Sequence, residues 1–343
     1  MVKIFFDLEG PLSPQDNAYE VLGLAREGER IFEVISKYDD ILTLEGRENY
    51  EPGDTLKLIV PFLIYNKISE CDIRDVSKEA GIVPGVKDVV AFLKADGWDV
   101  YIISTSYEQH AHNIARQVGV ESKRVACTKM PLDDYHLQFS DVDLKVVGDA
   151  EEKILGELYP GSDEQRVKAE LDGFFFGALQ ENKLGEIFNE VTVCGGARKV
   201  DAMMKFADSD DLSGAIAVGD SITDFKMLET IREKGGLAIA FNGNEYSIPY
   251  ADIAVANVDQ RFLLPIINAF KEGGRENAIA TAKRLENASI EEILNAMPAD
   301  VAGTIPKDIT PPRYHVIGTD TSEVIKIHKE YRTLLRGEAG KLG

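Results

Sequence analysis

Six short stretches of the chain are apolar at nearly every position: "KIFFDL", "DVYIIS", "RVACTKM", "GAIAVGD", "GLAIAFN" and "ADIAVAN". Apolar runs without alternation predict strands buried on both faces, as in a parallel sheet. Between them the apolar spacing changes to three and four. In "GVKDVVAFLKADG" it puts Val86, Val89, Val90 and Leu93 on one helical face, with Gly97 as the stop. "SYEQHAHNIARQVGV", "ARKVDAMMKFA" and "DFKMLETIREKGG" read as helices in the same way. Strand alternating with helix predicts an α/β fold, a doubly wound parallel sheet.

Two long segments interrupt that alternation. Residues 13–82 are rich in charged, helix-compatible positions and are expected to form a helical cap, far more chain than a crossover needs. A second helical insertion is expected at about 140–190, broken at Pro160-Gly161. The α/β core is then 1–12 together with 83–256. Residues 257–343 read as a helical C-terminal extension, with a loop at "TPPRYHVIGTD" and a last helix from about Ser322. No internal repeat or low-complexity segment is present.

Composition narrows the function classes. The chain has 343 residues, 44% apolar and 28% charged, as an ordinary globular protein has. A formal net charge of -21 argues against a general nucleic-acid or anionic-membrane binder, both of which need a basic footprint. A small anionic substrate stays open, because it feels a local site rather than the summed charge. Cys71, Cys127 and Cys194 are far apart and odd in number, so buried free thiols are expected rather than disulfides or zinc. No stretch approaches the ~20 apolar residues of a membrane span. "KIFFD" meets a charge too early for a secretory signal, so a cytoplasmic protein is expected. The oligomeric state stays open.

Ligands of open parallel sheets gather at the carboxyl ends of the strands. There the first strand delivers Asp7 and Glu9, the second Ser104, and the fourth Asp220 with Asp224 four residues on. Lys199 stands near the start of the helix before the fourth strand. Singly these are weak signals, since a hydroxyl after a strand is commonly a helix cap and a helical lysine is commonly exposed. Their joint order is not. Other features read as packing. His110 and His112, two apart on a helix, face different directions. Phe174–Phe176 and Trp98 suit core or interface contacts, and Arg30 and Arg47 suit the cap surface.

Together "FFDLEG", "IISTS", "ARK" and "VGDSITD" resemble the four motifs of the haloacid dehalogenase (HAD) superfamily of phosphohydrolases and phosphotransferases. The resemblance covers the α/β core, somewhat over half the chain, and the insert after the first motif resembles caps of the phosphoserine-phosphatase type. It implies Mg²⁺-dependent hydrolysis of a small phosphorylated metabolite, or transfer of its phosphoryl group to another alcohol. Asp7 is then the nucleophile and Glu9 the acid–base. Ser104 and Lys199 hold phosphoryl oxygens. The metal ligands are Asp7, the Glu9 carbonyl and Asp220, with Asp224 acting indirectly. The superfamily more usually has Asp at the position of Glu9 and Thr or Val at that of Pro11. A minority carries the Asp-x-Glu-Gly form, including enolase-phosphatase types and a branch that passes phosphate to homoserine. The rival reading is a HAD-like accessory subunit with little turnover, as in archaeal chains associated with an energy-converting hydrogenase.

Overall fold

The computed structural model describes residues 2–159 and 161–341. Its sheet has seven strands in the order β3-β2-β1-β4-β5-β6-β7. These are β1 (Lys3–Phe6), β2 (Asp99–Tyr107), β3 (Val125–Thr128), β4 (Ala215–Gly219), β5 (Leu237–Phe241), β6 (Ile253–Ala256) and β7 (Arg313–Val316). The first six pair in parallel, and β7 runs antiparallel along β6. All six apolar runs are strands.

In β4 and β5 the two faces of the sheet bury residues of different size. Ile216 and Val218 of β4, with Leu237, Ile239 and Phe241 of β5, pack on one side. Helices Val86–Ala95, Glu108–Gln117 and Leu264–Leu285 cover that side. Ala215, Ala217 and Ala238 face the other side, under helices Ala197–Ala207 and Phe225–Glu233. The strand pattern therefore alternates large with small rather than apolar with polar, because both faces are covered.

The expected loop at "TPPRYHVIGTD" contains β7, so the C-terminal extension is not purely helical. Tyr314 and Val316 alternate toward the main core, and the chain reaches the free edge of β6. Helix Leu264–Leu285 likewise packs on the sheet rather than beyond it.

The two insertions share one apolar core. Helices Asn17–Leu22, Gly28–Leu44 and Glu70–Glu79 pack with Asp141–Glu157, Glu164–Gly173 and Leu184–Glu190. Tyr38 donates to Asp172 at 2.5 Å, Arg47 pairs with Asp172 at 2.6 Å, and Asn66 donates to Glu151 at 2.7 Å. Pro160 lies outside the described residues; the helices on either side end at Glu157 and resume at Glu164. A π-helical turn at Phe174–Ala178 buries Phe174 and Phe175 and leaves Phe176 outside, under the Arg47 guanidinium. Trp98 packs near Phe270. Cys194 is buried, but Cys71 is exposed, contrary to expectation for all three thiols. Among the described residues no helix is long and apolar enough to cross a membrane.

The last helix, Ser322–Arg336, lies against this end of the sheet. His328 on it is fully buried, its Nε2 3.2 Å from Nδ1 of His315 on β7. Burial, then the neighbouring His315, depresses His328 from 6.5 to about 3. Between those values the unfolded chain binds a proton that the folded chain refuses. Stability from this group is therefore complete above about pH 6.5 and is lost as pH falls. Between pH 7 and pH 5 the loss should be about 2 kcal/mol. Denaturant unfolding at the two pH values should show a drop smaller by that amount in His328→Asn; an equal drop in both proteins would contradict the assignment.

Candidate active site

Three strand ends, those of β1, β2 and β4, converge on one cavity with helices of the cap and the C-terminal helix. At the end of β1, Asp7 donates its backbone N–H to the Val218 carbonyl at 2.8 Å, which locks it beside β4. The chain then reverses sharply, with Gly10 N–H bonded to the Ser13 carbonyl at 2.7 Å. Gly10 has φ +105°, and a Cβ there would collide with the Asp220 carboxylate, so only glycine lets the two strand ends approach. In β2 the pairing register with β3 shifts between Ile103 and Tyr107. There consecutive hydroxyls, Ser104 and Thr105, both line the cavity, and Ser106 Oγ donates to Glu9 at 2.7 Å.

Lys199 is fully buried and joins two of the carboxylates. Its Nζ donates to Asp7 Oδ1 at 2.6 Å and to Asp224 Oδ1 at 2.7 Å. Burial alone would lower the Lys199 pKa, but the charges of Asp224 and Asp7 outweigh it and hold it raised. The second oxygen of Asp224 accepts the backbone N–H groups of Asp220 and Ser221 at 3.0 and 3.1 Å. Asp224 thus shapes the turn after β4 and anchors the lysine.

The remaining carboxylates differ in their surroundings. Burial, then the charge of Asp224, raises Asp7 to about 7. Glu9 is raised to about 8 by burial and by Asp16, against hydrogen bonds from Ser106 and the Asn17 backbone. His110 Nε2 stands 4.0 Å from Glu9, while its Nδ1 meets Ser77 Oγ at 2.9 Å. Asp220 is also raised by burial, and Arg332 and Arg336 oppose the shift. Its Oδ2 accepts from both arginines, and its buried Oδ1 has no hydrogen-bond partner.

Oxygens of Asp7, Asp220 and Asp224 lie within 4.8 Å of one another. An all-oxygen, acidic set with one open buried oxygen fits a hard divalent cation such as Mg²⁺. Asp7 and Asp220 have the open positions. The oxygens of Asp224 are already engaged, which suits an indirect role.

The cap closes over this edge. One face of helix Gly28–Leu44 carries Phe32, Ser36, Asp39 and Asp40 into the cavity. Cap Glu51 accepts from the Ala197 backbone and from Lys226, both at 2.8 Å, and cap Asp54 pairs with Arg198 at 2.5 Å. Gly53, at φ +90°, brings the cap backbone against Thr105 and Thr223. Arg30 and Arg47 do not line the cavity; they bond the Leu158 carbonyl and Asp172. Arg332 and Arg336 do line it. Nothing in a helical i,i+4 pair near the C-terminus ties it to a strand end 112 residues earlier. Ser106 was closer to reach, being two residues beyond Ser104.

No family model and no curated protein matches the chain. A solved structure of an Archaeoglobus fulgidus gene product is similar, at 29% identity and TM-score 0.81, over 100% of this chain and 99% of that one. A substrate-bound phosphoserine phosphatase structure matches at 19% identity and TM-score 0.45, over 77% of this chain and 96% of that one. A HAD family hydrolase from Salmonella enterica serovar Typhi matches at 13% and 0.43, over 71% and 62%. The core is thus a doubly wound α/β sheet with helical insertions forming a cap, and Asp7, Ser104, Lys199 and Asp220 gather at one edge of that sheet.

Proposed function

We propose that the protein is a Mg²⁺-dependent phosphatase that cleaves a small phosphomonoester through Asp7. The observation that carries this reading is the Asp7 carboxylate, held by Lys199 at 2.6 Å in a capped cavity beside the open oxygen of Asp220. Spontaneous phosphomonoester hydrolysis is among the slowest of reactions, so a catalyst must supply a nucleophile, charge neutralisation and a leaving-group acid. Each has a candidate at this edge.

Lys199 engages Asp7 Oδ1, which leaves Oδ2 to attack phosphorus and form an aspartyl-phosphate. The ammonium also neutralises charge that develops on the phosphoryl oxygens, and the Ser104 hydroxyl is placed to donate to one of them. Glu9 gives its proton to the departing oxygen, then takes one from the water that opens the intermediate. Ser106 and the Asn17 N–H both bond Glu9 Oε1, which fixes the carboxyl and leaves Oε2 for proton transfer. Asp7 and Asp220 would hold the metal, which supplies Lewis-acid polarisation of the phosphoryl group. The cap excludes water from the first step, and its face of Phe32, Ser36 and Asp40 would meet the leaving group.

A generic aryl phosphate assayed with and without Mg²⁺ tests the reading directly. Turnover should require the metal and vanish in Asp7→Asn; Mg²⁺-independent turnover, or activity that survives the substitution, would sink it. Glu9→Gln should slow turnover by about 10²–10⁴-fold while Mg²⁺ affinity, measured by titration calorimetry, holds. Lys199→Met leaves Asp7 and Asp224 buried without their shared cation. It should lower unfolding stability by about 3–5 kcal/mol at neutral pH, as read by denaturant melts. A loss below 1 kcal/mol would mean that the triad is solvated.

A further inference from the structure

We propose that the C-terminal helix regulates metal loading: Arg332 and Arg336 hold Asp220 as internal counter-cations, so a divalent ion and the docked helix compete for one carboxylate. The inference rests on the reading of Asp7 and Asp220 as metal ligands.

His328, Arg332 and Arg336 follow one another at successive turns on a single face of helix Ser322–Arg336. Arg332 and Arg336 are 2% and 5% exposed at the side chain and border the same cavity as Asp7 and Glu9. Both donate to Asp220 Oδ2, Arg336 at 3.2 Å, and Arg332 also reaches the Asp220 carbonyl at 3.3 Å. Each is fixed at its root as well: Arg332 Nε donates to Gly340, and Arg336 Nε donates to Pro14, just beyond the first motif. Two buried guanidinium groups are costly unless a carboxylate answers them, and Asp220 is the carboxylate that both bond.

The same Asp220 carries the open Oδ1. A divalent ion there would add two positive charges beside two guanidinium groups, all bearing on the Asp220 carboxylate. Each cation weakens the hold of the others on that carboxylate, and the coupling must be reciprocal. The helix is suited to yield. Its apolar seat is small: Val324 and Ile325 rest on Ala240, Ile248, Ala251 and Ala254, and Leu335 touches the main core. Leu334 points to solvent, and the ion pair of Lys329 with Glu245 is exposed. A helix held mainly by charge responds when that charge is contested.

The test uses the full-length protein, with Mg²⁺ and Mn²⁺ as probes. Calorimetric Mg²⁺ titration and electron paramagnetic resonance of free Mn²⁺ should show tighter binding in Arg336→Gln and Arg332→Gln, by roughly 5- to 150-fold. Lys329→Gln on the same helix should bind as the wild type does. Hydrogen exchange needs no variant: saturating Mg²⁺ should reduce protection across 322–336 in the wild-type chain. Metal affinity unchanged or weakened in both arginine variants overturns the inference, as does helix protection that holds or rises with Mg²⁺. The two readings fail separately. Metal binding that loosens the helix, without hydrolysis of any phosphate ester, overturns the phosphatase and leaves the competition. Hydrolysis through Asp7, with metal affinity indifferent to both arginines, does the reverse.

Discussion

A fully buried ammonium between two buried carboxylates organises this end of the molecule. Lys199 reaches Asp7 on one side and Asp224 on the other, so the end of β1, the turn after β4 and the helix between them are tied at one point. None of the three groups is tolerable there alone, because an unpaired charge in that environment costs several kcal/mol. The second oxygen of Asp224 then closes the turn that presents Asp220. Local backbone geometry and local charge are one arrangement here. The arrangement also leaves one Asp7 oxygen free of the lysine.

Around that triad lie two further contributors from distant parts of the chain. The cap is latched to the core through Glu51 and Asp54, and it brings one polar helix face over the cavity. The C-terminal helix brings its arginines in from the side and meets Asp220. The acidic excess of the cavity, with Asp16 and Glu9 beside the triad, explains why cations recur on its walls. Each cation offsets charge that desolvation would otherwise force into the protonated state.

The parts of the fold legible in the sequence were those with a local cause. Six strands show as apolar runs, with β4, β5 and β6 buried at every position, and Gly97 follows its helix as a left-handed stop. β7 did not show. "RYHV" is short, polar at alternate positions and preceded by two prolines, and it is a strand because β6 offers a free edge. The merging of the two insertions was hidden for a related reason. Each has amphipathic helices, but amphipathicity does not say which partner covers the apolar face, and Phe62 against Phe174 and Phe175 joins segments over a hundred residues apart.

Asp7, Glu9, Ser104, Lys199, Asp220 and Asp224 could be singled out from residue type and position alone, because strand ends of a parallel sheet share one edge. The tertiary structure decided how their charges are paired. It engaged both oxygens of Asp224, left one oxygen of Asp220 open, and set Ser106 and His110 beside Glu9. It also placed Arg332 and Arg336 in the cavity. The strand-end residues follow from periodicity, a property of neighbours along the chain. The pairing of charges follows from burial, which depends on every segment that closes over the edge.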